Sequence, residues 1–266
     1  MHPARFRWRC WHVAALWVIA CRLALAQFAK AEEWADGRVA GPFVCRADFS
    51  LGAMNGLFGD LRQLQEDLAR WLGIPPPREP IELYLFRDQR SYRQFVSRRF
   101  PQVPYRRALY VKMDGPGMVF AHCGDQFEID VRHECTHALV HAALPMVPLW
   151  LDEGIAEYFE LAPAKRAFDN PYLSGVRWAA RFGMLTRINS LEKKAEMSEM
   201  SGSDYRAAWA WVHFMLHGPP EAHEELVRYL ADIRGNVPPG MLSQRLQRRL
   251  PGLERRFTIH FSAWKR

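Results

Sequence analysis

The segment His133-Glu134-Cys135-Thr136-His137 places two imidazoles and a carboxylate at a spacing that suits metal chemistry. On a helix, residues i and i+4 lie one above the other, so both histidines can reach a single ion. Zinc–nitrogen bonds of about 2.0–2.1 Å would then fix two corners of a tetrahedron. Glu134 lies about 100° around the helix from His133, where it can take a proton from a metal-bound water. The spacing therefore predicts a zinc site with a general base beside it.

The elements that must carry these residues form a predicted helical hairpin. The first helix is expected to end near Ala143, before Pro145. Pro148 suits the first position of a second helix, which is expected to end by Pro163. The short link between the two helices favours an antiparallel pair.

Heights along this hairpin predict which side chains meet. His137 lies about 9 Å before the end of the first helix, and Glu153 lies about 7.5 Å after the start of the second. His133 and Glu157 likewise lie at similar distances from the loop that joins the two helices. We therefore expect Glu153 to be the third zinc ligand and Glu157 to hold His133 by its other ring nitrogen.

The motif of residues 133–137, followed by Trp-Leu-Asp-Glu-Gly-Ile-Ala-Glu-Tyr-Phe at 150–159, resembles the gluzincin, or peptidase MA-like, zinc metallopeptidases. Aminopeptidase N and thermolysin are distant members of that superfamily. The resemblance implies one Zn²⁺ per chain, a peptide or protein substrate, and metal ligation by Glu153 with support from Glu157. It also implies that Tyr205, at the start of a later helix, stabilises the transition state. It is closest over residues 125–161.

In such enzymes a peptide aligns along an edge strand of a sheet, and one segment before the motif occupies that place. Its residues are Gly117, Met118, Val119, Phe120, Ala121 and His122. Residues 52–55 look like the substrate-amine segment of aminopeptidase N but lack its Glu, so exopeptidase specificity is not supported.

Two further residues have simpler explanations as well. Tyr205 follows Ser203-Asp204, which is typical of a helix cap, and an aromatic side chain there can serve packing. His141 continues the face of the two histidines but lies about 12 Å along the axis from His133, too far for one ion to bind both.

The whole chain is predicted to be α+β, with a small N-terminal sheet and a mostly helical, zincin-type catalytic half. Apolar spacing predicts a helix over residues 56–72, alternation predicts a strand over Ile81–Phe86, and residues 91–100 suit a short basic helix. Residues 108–113 and 118–122 flank a Gly- and Pro-rich turn and predict a β-hairpin. We divide the chain into residues 1–26, an N-terminal α/β part over 27–105 and the catalytic core with a helical C-terminal part over 106–266.

Residues 1–26 are typical of an export signal, since a basic stretch precedes an apolar run and Ala24-Leu25-Ala26 suits signal peptidase. A lipoprotein leader is the alternative, because residues 18–21 resemble a lipobox ending in Cys21. A retained N-terminal anchor or a surface helix is a further alternative. We expect a periplasmic or extracellular protein that contacts a membrane only through this N-terminus, and the oligomeric state stays open.

Composition excludes several classes of protein. Hydrophobic residues make up 49% and charged residues 24%, which argues against a disordered chain or a polytopic membrane protein. The net charge is +7, but four arginines lie in residues 1–26, and without them 32 basic residues face 29 acidic ones. A surplus of this size does not favour nucleic-acid binding.

Cysteine usage agrees with export only weakly. Beyond the leader the chain has Cys45, Cys123 and Cys135, so at most one disulfide can form within it. Cys135 is expected to be a buried thiol, and a bridge between Cys45 and Cys123 stays open.

These features predict a zinc metallopeptidase. The alternative is a catalytically silent binding module on the same fold, with the metal as a structural staple. Glu134 favours the enzyme, because a purely structural site needs no base.

Overall fold

Five strands form one mixed sheet, in the spatial order β1-β2-β3-β5-β4. The computed structural model describes residues 34–265, so the predicted leader lies outside the described residues. β2 pairs with β3, and β3 with β5, in parallel, whereas the outer pairs β1–β2 and β4–β5 are antiparallel. The strands are β1 (Asp36–Ala40), β2 (Phe43–Ala47), β3 (Ile81–Phe86), β4 (Ala108–Val111) and β5 (Met118–His122).

Helices make up most of the chain beyond the sheet. Between the strands lie α1 (Asn55–Leu72), after β2, and α2 (Gln89–Arg99), after β3. After the sheet follow α3 (Phe127–Ala143), α4 (Leu149–Phe159), α5 (Pro163–Arg166), α6 (Tyr172–Arg181), α7 (Ile188–Leu191), α8 (Gly202–His217), α9 (Pro220–Arg234), α10 (Leu242–Arg249) and α11 (Leu253–Ala263). No helix within residues 34–265 is long and apolar enough to cross a membrane.

Local sequence signals account for several boundaries. Gly73 ends α1 in the left-handed conformation (φ 66°), which glycine adopts without a steric penalty. Asp88 caps α2 by accepting a hydrogen bond from the backbone N–H of Ser91 at 2.9 Å. The predicted helices, the strand over Ile81–Phe86 and the β-hairpin are all present, and the predicted α+β class is confirmed.

The sheet is covered on both faces. Tyr84 and Phe120 stack with ring centroids 4.9 Å apart, and Phe95 of α2 packs against both. Leu83 and Val119, which are also paired across β3 and β5, are fully buried in the main hydrophobic core with residues of α1 and α3. That core continues into the C-terminal helices, and the described residues from 35 onward group as one compact unit. The boundary we drew at residue 105 stays a prediction.

The prediction that Gly117–His122 lies at the edge of the sheet is wrong. β5 is bonded to β3 on one side and to β4 on the other, so its backbone has no free edge. The edge strand beside it is β4, the first arm of the hairpin. The sequence predicts that β4 and β5 pair with each other. Which of the two lies at the edge of the sheet depends on which one also pairs with β3.

The three cysteines within the described residues are free thiols, so the bridge between Cys45 and Cys123 is not formed. Cys135 is fully buried in α3, as expected. Burial raises the pKa of its thiol well above the usual range, which keeps it protonated and unreactive.

Candidate metal centre

α3 and α4 form the helical hairpin that the proline spacing predicts. α3 ends at Ala143, and α4 begins directly after Pro148. The hairpin brings together one ligand atom each of His133, His137 and Glu153, all within 4.8 Å of one another.

Distances within this triad suit one tetrahedral ion. The Nε2 atoms of His133 and His137 lie 3.2 Å apart. Glu153 Oε2 lies 3.8 Å from the first and 3.9 Å from the second. Ligand atoms bound to zinc at about 2.0–2.1 Å stand about 3.4 Å apart in a tetrahedron, so small side-chain movements would complete the site.

The other nitrogen of each ring faces a carboxylate. His133 Nδ1 lies 3.0 Å from Glu160 Oε2, and His137 Nδ1 lies 3.0 Å from Asp152 Oδ2. Each carboxylate accepts a hydrogen bond from Nδ1–H, so the neutral ring keeps its proton on Nδ1 and has a lone pair on Nε2. Two lone pairs facing each other at 3.2 Å require a cation between them, either a shared proton or a metal ion.

Glu160, and not Glu157, holds His133, so the predicted partner of that histidine is wrong. Helical side chains tilt toward the N-terminus of their own helix. In an antiparallel pair this tilt moves the His133 ring away from the loop and the Glu160 carboxylate toward it, so the two meet beyond the level of Glu157. Glu157 instead bonds to Tyr172, and burial together with the Glu160 charge raises its pKa to about 7.

The partner of His137 is Asp152, which the spacing of the helical hairpin did not predict. Its position directly before Glu153 is the signal that could have revealed it, because adjacent residues on α4 face the two sides of the His137 ring. Asp152 is 9% exposed. Its pKa is held below the usual range because the hydrogen bond and charge of His137 outweigh burial.

Carboxylates also dominate the electrostatics of the triad. Burial lowers the pKa of His133, but the hydrogen bond to Glu160 and the charge of Glu134 outweigh it and raise that pKa to about 10. The charge and hydrogen bond of Asp152 likewise raise the pKa of His137 against burial. The pocket therefore attracts positive charge.

Glu134 and Tyr205 both lie within electrostatic range of the triad. The Glu134 charge raises the pKa of both His133 and Glu153. Within residues 34–265 its carboxylate makes no hydrogen bond or ion pair. Burial and the charge of Glu153 raise the pKa of Tyr205, which lies in the first turn of α8. That turn is capped where Ser201 N–H donates to the Asp204 carboxylate at 2.8 Å.

The described residues thus combine a mixed sheet with a helical hairpin that carries two histidines and a glutamate at one place. No protein-family model matches the chain. No curated protein matches it either.

Among solved structures, the chain is similar to M1 zinc metallopeptidases. One is the enzyme from Deinococcus radiodurans, at 18% identity and a TM-score of 0.49, over 86% of this chain and 51% of that one. Another is a two-domain M1 zinc metallopeptidase mutant bound to L-arginine, at 18% identity and a TM-score of 0.50, over 88% of this chain and 52% of the other. The chain thus spans about half the length of these enzymes, and the likeness concerns the fold.

Proposed function

We propose that this protein is a zinc-dependent peptide-bond hydrolase that holds one Zn²⁺ per chain on His133, His137 and Glu153. The observation that carries the proposal is the pair of facing Nε2 atoms, each fixed from behind by a carboxylate. A surface-exposed pair of histidines would not need two buried or half-buried carboxylates to orient it. The donor set of two imidazoles and one carboxylate is the one that catalytic zinc uses when a fourth position stays open.

Bound zinc supplies a Lewis acid that lowers the pKa of a coordinated water and polarises a carbonyl. Glu134 would accept a proton from the water whose oxygen attacks the carbonyl carbon, because its carboxylate lies within electrostatic range of His133 and Glu153 and has no other partner within residues 34–265. It then returns the proton to the leaving amine as the peptide bond breaks. Tyr205 donates a hydrogen bond to the oxygen on which negative charge develops. A tyrosine with a raised pKa keeps its proton and stays a donor.

We place the substrate along β4, not along β5. β4 is the edge strand of the sheet and lies next to the helical hairpin of α3 and α4. A bound peptide can add to such a free edge as a further strand. The ring of Tyr110 in β4 stacks on His137 with centroids 6.4 Å apart, so the strand borders the metal centre. Either a peptide or a protein loop fits this mode of binding, and secretion through the N-terminal leader stays a prediction.

The test combines metal content with turnover. We expect about one zinc per chain by elemental analysis of purified protein, lost in His133→Ala, and release of peptides from an unfolded protein substrate. Glu134→Gln should keep the zinc and lower turnover by at least a hundredfold, since proton transfer is worth about 10²–10⁴. A silent binding module would keep its zinc in both the native protein and Glu134→Gln but show no turnover in either. No bound metal after incubation with zinc at neutral pH would refute the proposal.

A further inference from the structure

His141 lies one helical turn after His137 and makes a contact that the metal site does not by itself require. Its Nε2 lies 2.9 Å from Oδ2 of Asp152. The same oxygen lies 3.0 Å from His137 Nδ1. One carboxylate oxygen thus accepts from two histidines that belong to the same face of α3.

These two hydrogen bonds are what orients the Asp152 carboxylate. Its second oxygen, Oδ1, is buried and has no hydrogen-bond partner among residues 34–265. A buried carboxylate with a single donor could turn about its Cβ–Cγ bond and carry the acceptor away from His137. The second donor from His141 prevents that rotation, and only a group at the position of Nε2 reaches the oxygen.

The edge strand holds the same two histidines from the other side. The Tyr110 ring stacks on His141 with centroids 5.8 Å apart and planes 17° apart, and on His137 with planes 15° apart. Both imidazoles are therefore held nearly parallel to one ring. The His141 side chain keeps 28% of its surface exposed, so a polar substitute can be solvated there.

We infer that His141 is a positioning residue for the metal centre, acting through Asp152 on His137. It fixes the carboxylate that accepts the Nδ1–H of His137, and this keeps the Nε2 lone pair of His137 aimed at the ion. The inference rests on the proposed function, since it assumes that His137 binds zinc.

The test uses two substitutions that differ only in reach. In His141→Gln the amide nitrogen replaces Nε2 and can still donate to Asp152, whereas in His141→Asn the amide is one methylene too short. The matched control is His223→Asn, which removes a single Nε2 contact, 2.6 Å from Trp71 O, away from the hairpin. Zinc affinity of the full chain is measured by competition with a chromophoric chelator, and thermal unfolding of the metal-free proteins is measured alongside.

We expect His141→Asn to weaken zinc binding about tenfold, the lower end of the range for groups that orient a ligand. His141→Gln should restore affinity to within about threefold, and His223→Asn should leave it unchanged. Equal affinity in native protein and His141→Asn would overturn the inference, as would equal losses in the Asn and Gln variants. If the native protein itself binds no zinc, the proposed function fails first, and that result is distinct from either of these.

Discussion

Gly154 stands beside Glu153 at a point where the backbones of α4 and α8 come close. A Cβ at this position would lie 2.6 Å from Ala208 O, 2.8 Å from Ala208 C and 3.0 Å from Val212 Cγ2. Two of these atoms belong to the backbone of α8, so no side chain can turn aside to relieve the contact. Gly154→Ala therefore has to push the two helices apart.

The size of the effect follows from that geometry. A comfortable contact between heavy atoms is about 3.5 Å, so the helices would separate by up to about 0.9 Å. Overpacking of this kind costs about 1–3 kcal/mol, and the better helix propensity of alanine returns up to about 1 kcal/mol. Because the contacts are with backbone atoms, the cost lies in the upper part of that range, about 2–3 kcal/mol, and we expect a net destabilisation of about 1–2 kcal/mol. Zinc affinity should fall as well, because Glu153 moves with the helix.

Urea unfolding of the metal-free protein measures the change, with Gly59→Ala as the matched control. Gly59 also lies inside a helix, α1, but a Cβ there meets nothing within 4 Å. That variant should gain about 0.5–1 kcal/mol. The same substitution thus has opposite signs at two helical glycines. The close approach of α4 and α8 would be refuted if Gly154→Ala had the same free energy of unfolding as the native protein and the same slope of that energy against urea concentration.

Three further predictions follow from buried charges. Asp67→Ala leaves the Arg166 guanidinium, which is 4% exposed, without its carboxylate partner, and should cost about 3–5 kcal/mol in urea unfolding; a loss below 1 kcal/mol would contradict burial of the pair. Glu160→Gln should weaken zinc binding about 10–100-fold in a chelator competition, while Glu157→Gln should change it little. A larger loss in Glu157→Gln than in Glu160→Gln would show that Glu157 holds His133 after all. Burial lowers the pKa of three clustered histidines to between about 3 and 4, against about 6.5 in the unfolded chain, so their contribution to stability is complete above pH 6.5 and is lost toward pH 4. These histidines are His213, His217 and His260. The loss of stability reaches about 1.4 kcal/mol per pH unit for His213, which is fully buried, and is smaller for the other two. Equal urea midpoints at pH 6 and pH 4.5 would contradict this prediction.

The sequence by itself determined the two helices of the candidate metal centre and the three ligands that we propose. Spacing within one helix is set by 3.6 residues per turn, so His133 and His137 must share a face. Pro145 and Pro148 limit the two helices, and the short link between them favours an antiparallel pair. Height along that pair then brings Glu153 to the histidines. Each step depends on local geometry, which residue types dictate.

Only the tertiary structure decided what surrounds those ligands. Side-chain tilt selects Glu160, the residue directly after α4, over Glu157 one turn earlier, because the two differ in where their carboxylates end. The place of β5 inside the sheet depends on which hairpin arm pairs with β3, a contact between segments far apart in sequence. The need for glycine at position 154 exists only because α8, some fifty residues later, packs against α4. These features arise from packing between elements, and no periodicity within one element encodes them.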